Sequence, residues 1–378
     1  MGYYLIETYY MAILNVFTYL KKYDWFLLVP TLLLTIFGLA SLYSGTLNVA
    51  EPNWIFFNKQ LTFFIIGFGL LIFASIVDYR RWRSYSLIFY FIALIFLVAV
   101  LFWGTEIRGT TGWFYIFGFG LQPVELMKFA MVLTLAFVYS KRKDKEQSAS
   151  TLLIVSMITL IPVFLAILQP DYGSAVIMLG IGVGFYALIN MKPKHLIYIL
   201  LLVVLSSILI WNFLLLDYHQ DRILTFLDPM RDPLGEGYNV RQSIIAVGSG
   251  SLFGRGLGLG TQSQLQFLPE VQTDFIFAAI AETLGFFGVT LIIVFFSILL
   301  IRILLIMKEA RDSFSMYVCY GFGLIFFMQM FVNIGMNLGM LPVAGLSLPF
   351  VSYGGSFLII SMIAIGIIES IRLRQRIL

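Results

Sequence analysis

The sequence predicts an all-α polytopic membrane protein with about ten transmembrane helices, and three observations carry that prediction. Hydrophobic residues make up 60% of the 378 residues and charged residues only 12%, with a mean hydropathy of +0.94. A soluble chain of this length would carry about twice that share of charge and divide into two or three domains. Second, ten apolar runs approach the roughly 20 residues needed to cross ~30 Å of hydrocarbon. Third, the basic residues are one-sided. Grouping alternate connections collects 17 of the 24 Lys and Arg on one side, which places both termini in the cytoplasm. The single cysteine, Cys319, allows no disulfide framework and reads as a small buried hydrophobe, and His195 and His219 have no neighbours at metal-ligand spacing.

The runs are expected at 25–44, 61–77, 85–103, 124–140, 151–168, 174–190, 195–216, 274–301, 314–338 and 355–371. Residues 1–22 precede them as a cytoplasmic, interfacial segment. Lys21 and Lys22 follow its apolar stretch and no small-residue cleavage site is present, so it does not read as a signal peptide. Ile6 takes the Ser/Thr position of the myristoylation pattern, so that pattern fails. Of the connections assigned to the outer side, 45–60 holds Glu51, Pro52 and Trp54, and 104–123 is rich in glycine and aromatics. The largest, 217–273 between spans 7 and 8, is well beyond ordinary loop length. Its apolar periods "RILTFL" and "SIIAVGSGSLFG" point to a structured extracytoplasmic loop of short helices. The run "GSGSLFGRGLGLG" lacks the Gly-Lys-Ser/Thr ending of a P-loop, so its glycines are expected to serve close packing and tight turns. The chain reads as one membrane domain, 1–378.

Ionisable groups at membrane depth cost roughly 2.5–3.5 kcal/mol each on insertion scales, so each is a candidate for function. In "QPVELMKFA", Pro123 suits the first helical position, and Glu125 and Lys128 are three apart on one helical face. They are either a self-neutralising pair or a cation poised for an anionic ligand with the glutamate orienting it. Asp171, in the short turn "LQPDYGSA", either caps the next helix or serves a site at the outer surface. Asp274 shares a helical face with Ala278, Ala281, Gly285 and Gly288, a small-residue stripe that signals close packing against protein. Glu270 lies four residues before it. Arg108, Arg222, Arg231, Arg241 and Arg255 in the outer loops would give the same cavity cations suited to phosphate or pyrophosphate. Gln329, Asn333 and Asn337 form an amide stripe that must face the bundle interior, and "LGMLPVAGLSLPFVSYGGSF" after them suits a re-entrant turn lined by a cavity.

These motifs resemble the SEDS family (shape, elongation, division and sporulation proteins). The resemblance is carried by "GEGYNVRQSIIAVGSGSLFGRGLGLGTQSQLQFLPEVQTDFIFAAIAETLGFFG", "QPVELMK", "LQPDYGSA" and "LPVAGLSLPFVSYGGS", and runs nearly the full length. "YDW…LYSGT", "LDPMRDPLGEGYNVRQS" and "LPVAG" are more similar to the elongation, RodA-like branch than to the division branch. The resemblance implies a peptidoglycan glycosyltransferase that polymerises lipid II at the outer face of the bacterial plasma membrane. It implies a class B penicillin-binding protein as partner, other elongation-complex membrane proteins around it, and no nucleic acid. The family's essential aspartate falls on Asp274, and its QPSE-x-x-K and QPD motifs on Glu125, Lys128 and Asp171. Four positions depart from the family pattern: Val124, Gly112, Gln272 and Thr283. Asp274 is expected as general base, with Lys128 and loop arginines stabilising the leaving pyrophosphate. No cofactor is fixed; a divalent cation (Mg or Mn) would suit the pyrophosphate, although no ligand cluster shows it. The competing readings are a flippase for the lipid-linked precursor and a scaffold for the penicillin-binding protein.

Overall fold

The computed structural model describes residues 22–47, 54–107, 110–116, 119–142, 148–188, 220, 224–226, 228, 235–265 and 267–375. Its helices are α1 (Trp25–Ser44), α2 (Ile55–Ile76), α3 (Tyr79–Trp103), α4 (Pro123–Lys141), α5 (Ala149–Leu168), α6 (Tyr172–Leu188), α7 (Glu236–Ser249), α8 (Thr261–Gln264), α9 (Ile276–Lys308), α10 (Ser313–Asn337) and α11 (Gly355–Gln375). Eight are long and apolar enough to cross a membrane, and α6, at 17 residues, is a shorter apolar helix. The chain is therefore a multi-pass helical membrane protein. The expected seventh span, 195–216, and residues 1–21 of the N-terminal segment lie outside the described residues.

Helix starts differ from the apolar runs for a common reason. α2 begins six residues before its run and α3 likewise, because Lys59, Gln60, Arg80, Arg81 and Arg83 occupy first turns that a search for uninterrupted apolar residues discards. Asp78 caps α3, its side chain accepting from the Arg80 N–H at 2.8 Å. The outer connection after α3, which reads from the sequence as a loop rich in glycine and aromatics, holds three short strands. β1 (Thr105–Ile107), β2 (Thr110–Ile116) and β3 (Phe119–Leu121) form an antiparallel meander, with Thr105 opposite Trp113 and Tyr115 opposite Gly120.

The bundle has two distinct ends. α4, α9 and α11 begin, and α10 finishes, at the end holding Glu125 and Asp274. At the other end Asp24 gathers the guanidinium groups of Arg302 (2.7 Å) and Arg372 (3.3 Å), and its own N–H donates to Glu369 Oε1 at 2.9 Å. Between the ends the interior is filled. On α4, Phe129 through Ala136 are buried, Phe129 stacks on Phe322 at 5.4 Å, and Tyr139 stacks on Phe185 at 5.8 Å.

The described part of 217–273 packs onto this bundle. α7 lies against α9 and α10, with the Ser243 hydroxyl donating to the Asn337 carbonyl at 2.8 Å. The stretch after α7 cuts into α9. At Gly285 the helix breaks (φ +67, ψ −163), a region open only to glycine. Segment 250–256 takes over the released backbone groups: Phe286 N–H donates to Ser251 O (2.9 Å) and Phe287 N–H to Leu252 O (3.1 Å). In return Arg255 N–H donates to Glu282 O (2.9 Å) and Gly256 N–H to Thr283 O (3.0 Å). The small-residue stripe of α9 thus packs close, as its pattern predicts, and its neighbours are α7 and this inserted segment. A Cβ at Gly285 would overlap the Gly254 nitrogen and stand 2.8 Å from Gly250 O. Gly285→Ala is expected to cost roughly 2–5 kcal/mol through strain and overpacking. Thermal unfolding in detergent checks this against Gly248→Ala, where a Cβ meets nothing within 4 Å. Equal melting temperatures for the two variants would contradict the account.

Candidate functional site

Asp274 sits in the turn that leads into α9, and α10 and the loop after it hold the main chain of that turn. The side-chain amides of Asn333 and Asn337 both donate to the Asp274 carbonyl, at 3.0 and 2.9 Å. Asn337 Oδ1 accepts from the Ala278 N–H at 3.1 Å, so an amide of α10 satisfies a donor in the first turn of α9. The two preceding residues are tied to the loop between α10 and α11. Ser352 Oγ donates to Thr273 O at 2.7 Å, and the Tyr353 N–H donates to Gln272 O at 2.8 Å. Gln329, Asn333 and Asn337 are all buried, as their spacing predicts, and two of them fix where the aspartate stands. Glu270, at φ +54, folds over the same turn; its carbonyl accepts from Thr273 N–H (3.1 Å) and its Oε2 from the Thr273 hydroxyl (3.3 Å). Glu270 and Asp274 are each only partly buried.

The α10–α11 loop joins this turn to the other acidic motifs. Gln60 on α2 grips it in both directions, donating to Ser352 O (3.1 Å) and accepting from Gly354 N–H (3.2 Å). A Cβ at Gly345 (φ +63) would stand 3.9 Å from Asp274 Oδ2, so the carboxylate lies over a residue with no side chain to block it. The adjacent Ala344 presents its carbonyl to Gly173 so closely that a Cβ there would overlap it. Asp274 and the start of α6 therefore abut the same dipeptide. Further along, Ser356 Oγ accepts from the Gln122 N–H at 3.3 Å, and the Phe357 ring faces Lys128 Nζ at 6.0 Å. Phe350 is buried at φ +64, a conformation that costs about 1–3 kcal/mol and persists only where surrounding contacts over-determine it. Burial raises the Tyr353 phenol above its ordinary value, with Tyr115 adding to the effect.

Glu125 and Lys128 pair at 2.6 Å, and Lys128 is only 1% exposed. In this conformation the ammonium serves the carboxylate, with Phe357 over it. Asp171 caps α6, its Oδ1 accepting from the Ser174 N–H at 3.0 Å, and its Oδ2 accepts from the Gln122 side chain at 3.4 Å. It also lies near enough to Glu125 to act on that carboxylate's charge. The structure thus brings Glu125, Lys128 and Asp171 into one cluster, linked to Asp274 and Glu270 through residues 344–357. Arg241 stands on the exposed side of α7, and Arg255 is exposed with its guanidinium donating to Thr261 Oγ1 at 3.1 Å. Arg108, Arg222 and Arg231 lie outside the described residues. No group of three or more His, Cys, Asp or Glu suited to a metal ion assembles among the described residues.

One carboxylate was not foreseen. Glu282, fully buried, points at the start of α8 and accepts from the Gln262 N–H (2.8 Å) and Ser263 N–H (3.0 Å). It anchors the stretch that follows the segment breaking α9. An uninterrupted helical pattern in "AAIAETLGFFG" gives no sign that a loop enters there; the only signal is a charge among small residues.

Comparison with known proteins fits this arrangement. The family model FTSW_RODA_SPOVE, described as a cell cycle protein, matches residues 24–377. The chain belongs to this family. It is 35% identical over 366 residues to a probable peptidoglycan glycosyltransferase FtsW of Geobacter metallireducens, covering 94% of this chain and 96% of that one. It is 36% identical to stage V sporulation protein E of Bacillus subtilis over 92% of this chain and 96% of the relative. It is 35% identical to the peptidoglycan glycosyltransferase MrdB of Escherichia coli over 92% and 94%. Among solved structures, a chain from a peptidoglycan synthase complex that coordinates polymerisation and crosslinking superposes with a TM-score of 0.79 at 28% identity, covering 94% of this chain and 99% of that one. The rod shape determining protein RodA of Thermus thermophilus gives 0.70 at 26% identity, covering 94% and 98%.

Proposed function

We infer that this chain is a peptidoglycan glycosyltransferase that polymerises lipid II into β-1,4 glycan strands, with Asp274 as general base. Family membership supports the activity. The observation that carries the residue assignment is the clamp on Asp274. Two buried amides and a serine fix the main chain of a partly exposed turn, while the carboxylate overlies a glycine. That arrangement fixes the main chain that carries the base and sets its carboxylate in a partly exposed turn.

In this reaction the 4-hydroxyl of the acceptor's N-acetylglucosamine gives its proton to Asp274. Its oxygen forms the new glycosidic bond to the donor's anomeric carbon. The bond from that carbon to the pyrophosphate breaks, and the polyprenyl pyrophosphate leaves with both electrons. Attack from the opposite face inverts the centre and gives the β link. Lys128, joined by the outer-loop arginines, balances the charge that develops on the leaving group. For Lys128 to reach it, the Ser356–Phe357 cover must open. Glu125 holds the ammonium in place until then, and Asp171 and Glu270 shape the two turns that border the site.

The remaining parts of the reading are ten spans with both termini cytoplasmic, 217–273 extracytoplasmic, and the site at the outer face of the plasma membrane. The one-sided distribution of Lys and Arg supports that orientation. The elongation role rests on the motifs, since identity to the division, sporulation and elongation relatives is level. A class B penicillin-binding protein as partner is supported by the superposition on a member of a synthase complex. The filled interior between Phe129 and Tyr139 argues against a polar path through the bundle, which a flippase requires.

The test is polymerisation of lipid II by the purified chain with its cognate class B penicillin-binding protein. Glycan strands are expected. No polymer, together with translocation of lipid II by vesicles containing the chain, would replace the enzyme with a transporter.

A further inference from the structure

At the end of the bundle opposite Asp274, roughly 30 Å away along the 21 residues of α11, the starts of α3 and α10 and the ends of α4 and α11 enclose a cavity of about 750 Å³. Its walls carry five cations, Arg80, Arg83, Lys141, Arg311 and Arg374, against one carboxylate, Asp312. That carboxylate is already engaged. Its Oδ1 accepts from the Ser315 N–H at 3.1 Å, and its Oδ2 accepts from the Tyr79 hydroxyl at 2.6 Å and the Ser315 hydroxyl at 3.0 Å. Arg374 is spent on Ser370 Oγ (2.7 Å), the Ile76 carbonyl (2.6 Å) and Asp78 (3.5 Å), and Arg311 donates to the Gln375 carbonyl at 2.7 Å.

Arg80 is exposed, with its guanidinium 5.9 Å from the Tyr79 ring; Arg83 and Lys141 are differently placed. Arg83 lies over the Phe314 ring at 5.9 Å and Lys141 over the Phe137 ring at 4.5 Å. Neither pairs with a carboxylate among the described residues. A guanidinium with five donors and an ammonium with three thus share one concave space whose described walls carry more positive charge than the single, already engaged Asp312 balances. A tetrahedral oxyanion satisfies this geometry, because the planar fork of Arg matches two phosphate oxygens while Lys supplies a point charge. The volume is far more than a bare phosphate fills. The cavity lies at the ends of membrane-length helices, and Phe137 and Ile371 supply apolar wall beside the cations.

We propose that the cavity between α3, α4, α10 and α11 binds the phosphodiester headgroup of an anionic phospholipid, held chiefly by Arg83 and Lys141. The site is separate from the Asp274 cluster and does not depend on the catalytic reading. Basic pockets between membrane helices recognise such headgroups by this combination of charge and adjoining apolar surface.

The experiment is native mass spectrometry of the delipidated full chain titrated with phosphatidylglycerol, with phosphatidylcholine of the same acyl chains, and with inorganic phosphate. Phosphatidylglycerol should bind well ahead of the other two. Arg83→Gln with Lys141→Gln should weaken it roughly 30-fold, the effect of two basic contacts. Lys141→Gln alone, at an exposed position, should weaken it roughly 5-fold, and Arg81→Gln, outside the cavity, should leave it unchanged. The charge-preserving pair Arg83→Lys with Lys141→Arg should keep most of the binding. Equal binding of phosphatidylcholine would overturn the proposal, as would phosphatidylglycerol binding that survives the double Gln substitution. Inorganic phosphate binding as tightly as the lipid would assign the cavity to a soluble anion instead.

Discussion

Asp274→Asn is expected to lower lipid II polymerisation by roughly 10²–10⁴-fold while leaving the protein folded, because it removes a base and preserves the shape around it. The clamp explains why the fold should survive. Asn333 and Asn337 hold the main-chain carbonyl of residue 274, and an amide side chain of nearly the same volume changes none of those bonds. The comparison therefore isolates the carboxylate. Polymer yield per folded molecule, with folding checked by melting temperature, is the measurement. A variant that polymerises at a near-normal rate would remove Asp274 as the base and leave its clamp purely architectural.

Lys128→Met is expected to destabilise the protein by about 3–5 kcal/mol, the cost of leaving one member of a buried pair without its partner. Glu125 would remain at the start of α4 with its 2.6 Å partner gone. Adding Glu125→Gln should restore much of that loss, since a neutral pair buries no charge. Activity of the double variant then separates two roles that the single variant confuses. Restored stability without polymer would mean that Lys128 acts on the leaving pyrophosphate. Restored stability with polymer would reduce the pair to a device that lets α4 insert.

What could be read from the sequence was periodic, and what could not was pairing across long separations. Eight membrane-length helices, the buried amide stripe of α10 and the small-residue face of α9 follow from residue spacing along one element. Pro123 marked the start of α4 in the same way. Strands of three residues, such as Thr105–Ile107, are too short to show alternation, so the meander before α4 read as an aromatic loop. The convergence of Arg302 and Arg372 on Asp24 joins residues 278 and 348 positions apart; the sequence showed only flanking charges on separate helices. Asp171 was left between a cap and a site residue; Oδ1 caps α6, and Oδ2 meets the Gln122 side chain. The break at Gly285 was hidden because the inserted segment restores the hydrogen bonds that an unbroken helix would have made.

The loop between α10 and α11 has a consequence for when the protein becomes competent. Gln60, Gln122, Gln272 and Thr273 all find partners in residues 352–356, and each of them leaves the ribosome well before those partners exist. The earlier helices can insert and pack by their own apolar faces, since chains acquire structure progressively during synthesis. The turn that carries Asp274 cannot take its final shape until the later loop arrives and threads between them. A nascent chain stalled anywhere before residue 352 would thus sit in the membrane as an inert bundle, and activity would switch on late in synthesis rather than accumulate span by span.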